Sequence, residues 1–463
     1  METNYKGTNR LIVGIVFGVI TFWLFAQTML NIGPAVQADL GISSSVLNIA
    51  ISLTALFSGM FMVGSGAMAD KFGRVKLTKI GLVLSVIGSL CLIFAQGSVL
   101  LIIGRVIQGF SAATIMPATL SLMKTYFDGA DRQRALSYWS IGSWGGSGIC
   151  SLFGGVIATY LGWRYIFIFS IIFAIAGYLL INGTPESKVV STEKKVFDLG
   201  GLFSFVIMML TFNLYITNGS SLGWISPVSI ALIVVFILST VIFFKVETKH
   251  SNSLIDFSLF KNKAYSGATL SNFLLNASAG TMFVANTYVQ MGRGYSSFQS
   301  GLLTIGYLVC VLSSIRLGEK ALQKHGARKP MLLGTSIAGV GILLMSLTFI
   351  PGTFYSVLVF VGFALYGLGL GFYATPSTDT AISAAPASKV GVASGVYKMA
   401  SSLGGAIGVA ISSSVYSVLA ANDSFELAGM TGLLVNVLFV VIAVISVILT
   451  APREAEEALP HTI

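Results

Sequence analysis

Apolar runs separated by short polar gaps repeat along nearly the whole chain. Each run matches the roughly 20 residues that an α-helix needs to cross a bilayer. Read between the polar breaks, they fall at about 11–36, 46–68, 77–96, 99–122, 135–158, 163–182, 199–218 and 226–245. They continue at about 264–290, 300–318, 330–350, 354–377, 390–419 and 430–450, fourteen in all. Lipid offers no hydrogen-bond partners, so only helices and closed barrels satisfy the backbone there, and these runs are far too long for barrel strands. The pattern predicts an all-α integral membrane protein with 14 transmembrane helices. The first run follows a polar, basic start (Met1 to Arg10) and continues through Trp23 to Asn31-Ile32-Gly33-Pro34. It is longer than a signal-peptide core and lacks a small-residue cleavage site, so it predicts an uncleaved first span.

The polar gaps set an orientation. With the N-terminus inside, all of the 27 Lys and Arg fall in inward segments except Arg164 and Arg293, which lie outside, and Arg105 and Lys398, which lie within spans. Positive charge on the cytoplasmic side is the topology rule for membrane proteins, and an even span count keeps the alternation intact. Both termini are expected in the cytoplasm. Composition agrees: 55% of residues are hydrophobic and 10% charged, against about a quarter charged in a soluble domain. The net charge of +10 is spread over these gaps rather than gathered in a patch, which argues against a nucleic-acid partner. Cys91, Cys150 and Cys310 are far apart in apolar runs, and His250, His325 and His461 lie in polar gaps or the tail. No disulfide framework, metal site or intramembrane histidine is expected, so carboxylates would have to carry any coupled proton.

The gap after span two reads Gly66-Ala-Met-Ala-Asp70-Lys-Phe-Gly73-Arg74-Val-Lys76. The gap after span ten reads Leu317-Gly318-Glu319-Lys320 and then Lys324-His325-Gly326-Ala327-Arg328-Lys329. This weak repeat suggests two halves of six spans with two more between them, a transporter design. The expected domains are an N-terminal six-helix bundle (1–182), a linker with spans seven and eight (183–263), a C-terminal six-helix bundle (264–450) and a cytoplasmic tail (451–463). Glycine pairs four apart, Gly142/Gly146, Gly367/Gly371 and Gly404/Gly408, suit close helix approach.

The Gly66–Lys76 segment resembles the signature loop of the major facilitator superfamily. Gly104-Arg105-Val-Ile-Gln108-Gly109 in span four is similar to that family's intramembrane arginine motif. Span five, with Gly142, Gly145, Gly146, Gly148, Gly154 and Gly155, resembles the antiporter motif of its drug exporters, with Ser151 at the position usually held by proline. Trp163-Arg164-Tyr165, Leu254-Ile-Asp256 and Gly391 through Gly408 are similar to the fourteen-helix drug:proton antiporters. The resemblance covers nearly the whole chain. It implies a major facilitator fold that exports small amphipathic compounds in exchange for protons, in the cell membrane. The proton gradient would supply the energy, with no cofactor and no obligate protein partner. One departure weakens a preference for cations: Ala26 and Gln27 stand where span one of the family usually has a carboxylate.

Within that reading, Asp70 and Arg105 are candidates for the conformational switch, and Asp39 or Asp379 for the proton carrier. Lys398, two turns inside span thirteen, is a partner for Asp379 or a snorkelling lysine. Arg105 could instead lock neighbouring helices through backbone carbonyls, and Asp379 could cap a turn after Pro376. Gln27, Asn31, Asn272, Asn276, Asn286, Tyr288 and Gln290 are candidate polar handles of a substrate cavity, or packing contacts between helices. Gly66, Gly73, Arg74, Gly142, Gly146, Gly154 and Gly155 are the expected conformational positions. Nutrient import by the same fold remains an alternative. A sensor would need a soluble output domain, and an intramembrane enzyme would need paired catalytic groups.

Overall fold

The computed structural model describes residues 5–189, 198–249, 255, 257–421 and 424–451. Glu193, Lys194 and Lys195 of the linker, His250, Leu254 and Asp256, and residues 452–463 of the tail with Arg453 and His461 lie outside these. All regular structure among the described residues is helical. The chain forms α1 (Asn9–Ile20), α2 (Met29–Leu40), α3 (Ser44–Phe72), α4 (Arg74–Ile93), α5 (Ser98–Tyr126), α6 (Gly129–Ser140), α7 (Gly146–Tyr160), α8 (Arg164–Ile181) and α9 (Leu199–Leu222). It continues with α10 (Pro227–Lys249), α11 (Lys263–Ala277), α12 (Gly280–Met291), α13 (Ser297–Leu303), α14 (Ile305–His325), α15 (Arg328–Ser346), α16 (Gly352–Ala384), α17 (Val390–Ala420) and α18 (Phe425–Thr450).

Two compact units divide the chain. The first comprises Met1–Tyr215, Ile225–Phe257 and Ala385–Met399; the second comprises Ile216–Trp224, Ser258–Ala384 and Ala400–Ile463. Within the first, α3 and α4 both pack along α5, α4 along α8, and α8 along α1. Within the second, α14 and α15 both pack along α16, α15 along α18, and α18 along α11 and α12. Apolar side chains gain little by leaving lipid for protein, so these seams rely on close backbone approach. A Cβ at Gly408 or Gly404 would strike the carbonyls of Ala277 or Phe273 on α11, and one at Gly367 would strike that of Tyr307 on α14. The outer face of α10, with Ile237, Leu238, Val241 and Ile242, is exposed as a lipid-facing surface should be.

Among the described residues, eleven helices are long and apolar enough to cross a membrane, or twelve if the bent pair Gly129–Cys150 and Leu152–Tyr160 is one span. The expectation of 14 exceeds this at two places. Span seven retains a shorter apolar helix, Gly200–Ile216. Span nine, expected as one helix over 264–290, is broken between α11 and α12 at Ser278 and Ala279. There the Ser278 hydroxyl bonds back to Leu275 O (2.6 Å) and meets Tyr366 Oη (2.9 Å), a local alternative to the helical ladder.

Two further boundaries differ from expectation. Span one is not a single helix to residue 36. It passes through a π-helical turn, Thr21–Ala26, and resumes as α2, which carries Pro34 inside it and ends at Leu40 before Gly41 (φ 61°). Span twelve does not stop near Pro376, because α16 runs through it to Ala384. Asp379 therefore sits inside a helix and is buried, rather than capping a turn.

Candidate functional site

In the first unit, the loop from α3 to α4 is tied by charge. Asp70 and Arg74 lie one turn apart, and Arg74 donates through Nε (3.1 Å) and Nη2 (2.8 Å) to Asp70 Oδ1. The other carboxylate oxygen accepts from Gly391 N (2.8 Å) and Val392 N (3.3 Å), the first amides of α17, where a helix favours negative charge. Arg74 also reaches Thr125 Oγ1 and Ala387 O. Gly66 makes room for this, since a Cβ there would meet the Gly391 carbonyl. Gly73 turns the chain at φ 121°, a conformation that favours glycine. Glu186 closes the network from the linker, accepting from Val75 N and Lys76 N at 2.9 Å each at the start of α4. No sequence spacing signalled that role, because Glu186 is 110 residues from Lys76.

Arg105 is fully buried on α5. Its Nη1 donates to Ala26 O and Gln108 Oε1, both at 2.8 Å, and its Nε to Ala50 O at 3.3 Å. Thr54 Oγ1 returns a bond to Arg105 O at 2.9 Å. One guanidinium thus ties the first, second and fourth spans.

A second π-helical turn, Ile141–Gly145, joins α6 to α7 and contacts the turn at Thr21–Ala26. Glycines seat the two spans on each other. A Cβ at Gly146 would lie 3.3 Å from Trp23 Cβ, one at Gly142 3.4 Å from Val16, and one at Gly154 would collide with Thr28. Gly155 faces open space. Beside these turns the Lys398 ammonium lies 4.7 Å from the Trp139 ring centroid and 5.8 Å from that of Trp23. Gln27 is half-buried and closes the first π turn, its backbone N–H donating to Phe22 O (3.0 Å). Asn31 is exposed and points at Cys150 Sγ (3.5 Å).

Asp39 closes the last turn of α2. Its Oδ2 accepts from Arg164 Nη1 (2.5 Å) and Trp163 Nε1 (3.2 Å), while Arg164 also holds Ile93 O and Ala95 O. The Arg164 bond holds the Asp39 carboxyl below its ordinary 3.8, so it stays ionised near neutral pH.

In the second unit, Asn272 is buried on α11 and donates to Ser401 Oγ (2.7 Å), and Asn276 donates to Asn272 Oδ1 (3.0 Å). Ser271 and Ser377 both bond the Tyr373 hydroxyl, at 2.6 and 2.9 Å. Asp379 accepts from Ser383 Oγ at 3.3 Å. Tyr288 donates to Thr348 O (3.1 Å) and receives Arg293 Nε (2.9 Å); Asn286 accepts from Ser300, and Gln290 is half-buried. Thus Asn272 and Asn276 come together, while Tyr288 belongs to a separate cluster with Arg293 and Tyr355. Among the described residues no group of three or more His, Cys, Asp or Glu could hold a metal ion.

Residues 12–409 match the family described as the Major Facilitator Superfamily. The chain belongs to the Major Facilitator Superfamily. It is 54% identical over 455 residues to the quinolone resistance protein NorB of Staphylococcus aureus strain MRSA252, covering 98% of each chain, and equally to NorB of strain COL. Among solved structures, the facilitator resembles a bacterial homologue of the iron transporter ferroportin in its outward-facing state (TM-score 0.68, 13% identity, 96% of this chain and 99% of that one). It also resembles the proton:xylose symporter XylE (TM-score 0.64, 16% identity, 96% and 94%). At such identities these two show the fold alone. This facilitator is therefore an all-α, multi-pass membrane transporter and not an enzyme. The Trp23 and Trp139 neighbours of Lys398 were beyond sequence reading, because they are 375 and 259 residues away and no spacing links them.

Proposed function

We propose that this facilitator exports small amphipathic, drug-like compounds in exchange for protons by alternating access. The observation that carries the reading is its 54% identity, along 98% of both chains, to a quinolone resistance protein. The proposed architecture has fourteen spans in the cell membrane with both termini cytoplasmic. The short helix Gly200–Ile216 and the broken pair α11–α12 supply the two spans beyond twelve. Residues 1–182 and 264–450 form repeated six-helix bundles around the inserted spans seven and eight, and the matching order of helix pairings in the two units supports this division. Asp70 and Arg74 hold one arrangement of the switch through the start of α17, and Arg105 fixes the helices beside it. Asp379, buried within α16, carries the proton; Asp39, exposed and held ionised by Arg164, is a structural latch. The polar groups of α11 and α12 serve as substrate handles.

The test uses inverted membrane vesicles containing the full chain, an imposed proton gradient and no ATP, with ethidium and a quinolone offered separately. Gradient-driven accumulation abolished by a protonophore is expected, and Asp379→Asn should remove the dependence on the gradient. No accumulation of either compound would overturn the export reading.

A further inference from the structure

We propose that Lys398, Trp23 and Trp139 form a recognition site for the carboxylate of a planar aromatic acid. The inference rests on the export reading for what is carried, and it names a substrate class for that transporter. Lys398 projects from α17 and is only 5% exposed, although an ammonium is among the costliest groups to bury away from water. A snorkelling lysine would send its amine outward along the helix. This one is turned inward, with Nζ 4.7 Å from the Trp139 centroid, 5.8 Å from Trp23 and 5.9 Å from Tyr397.

Ring faces attract a cation but contribute no net negative charge. Among the described residues no carboxylate pairs with Lys398, and in the same unit Asp70 and Asp39 are each committed to their own arginine. Donors are also in excess nearby. The buried Trp23 Nε1 has no hydrogen-bond partner among the described residues, nor has the hydroxyl of Ser394, one turn before Lys398 on the same helix face. Trp139 has already given its own N–H to Thr119 Oγ1 (3.0 Å), so its role here is its ring.

What the group lacks is an acceptor with a full negative charge. A carboxylate supplies two oxygens and about four lone-pair sites, enough for the ammonium and the indole N–H together. The half-buried Trp23 indole supplies a flat apolar wall on which the aromatic body of the acid can lie, and the buried Trp139 ring forms the wall behind the ammonium. Placement of the walls is built into the backbone. Trp23 lies inside the first π turn and Trp139 two residues before the second, and π turns recur at functional positions in helices. The absence of a carboxylate at Ala26 and Gln27 fits a site that takes an anionic group.

The test is equilibrium binding to the purified, detergent-solubilised chain, with norfloxacin as the carboxylic acid, its methyl ester, and ethidium. Wild type should bind the acid about tenfold more tightly than the ester, the scale of one charge-assisted hydrogen bond. Lys398→Gln should erase that preference, and Lys398→Arg should retain most of it. Trp23→Phe, which keeps a ring but loses the N–H, should weaken the acid about threefold. If Lys398→Gln keeps the acid–ester ratio, or weakens acid and ethidium equally as a merely structural lysine would, the site is overturned. It is also overturned if wild type binds acid and ester alike. Binding is read without transport, so failure of the vesicle experiment alone would count against export and leave the site standing.

Discussion

The carboxylates of this transporter divide by their partners. Asp39 faces Arg164 and Trp163 at the end of α2, and Asp379 faces Ser383 inside α16. A group whose folded pKa is depressed contributes stability above its unfolded value and loses it as pH falls through the folded one. For Asp39 that loss lies below 3.8, so the latch is intact at neutral pH. The difference in thermal midpoint between wild type and Asp39→Asn should therefore stay constant over about pH 5 to 8 and close below about pH 4. It should be small, because the pair is open to solvent. A pH–rate profile of transport that Asp39→Asn shifts near neutrality would instead make Asp39 the proton carrier. The sequence named Asp39 and Asp379 alike as candidates. It could not separate them, because Arg164 is 125 residues from Asp39 and Pro376 reads as the end of a helix that in fact continues.

Glycines decide how the helices meet. Gly408 on α17 is pressed on the Ala277 carbonyl of α11, and Gly155 on α7 meets nothing within 4 Å. Over-packing such a seam costs about 1–3 kcal/mol or more. Gly408→Leu should abolish the monodisperse peak in size-exclusion chromatography, while Gly155→Leu should leave it in place; equal behaviour of the two would contradict the packing. The four-residue glycine pairs announced these seams in the sequence, since only small residues allow such approach. The break at Ser278 and both π turns gave no such sign. Their causes are a hydroxyl meeting Tyr366 and a hydrogen-bond shift of one residue, and neither alters hydropathy.

For the whole molecule, the membrane class was legible because apolar runs of about 20 residues have few other uses. The count was less so, because the expected spans seven and nine fall short of the length requirement, one as a short helix and the other as a broken one. Parity is the measurable consequence. A fluorescent protein that matures only in the cytoplasm should glow when fused at either terminus; a dark C-terminal fusion would mean an odd number of crossings. The π turns at Thr21–Ala26 and Ile141–Gly145 have a further consequence, at the level of the gene. Each holds roughly one residue more than an α-helical turn would, and one residue is about 100° of helix rotation. These are therefore places where a single codon can be lost without breaking the helix. The result would be a span of the same composition whose indole had swung away from Lys398, so that inheritance could retune selectivity by deletion rather than substitution.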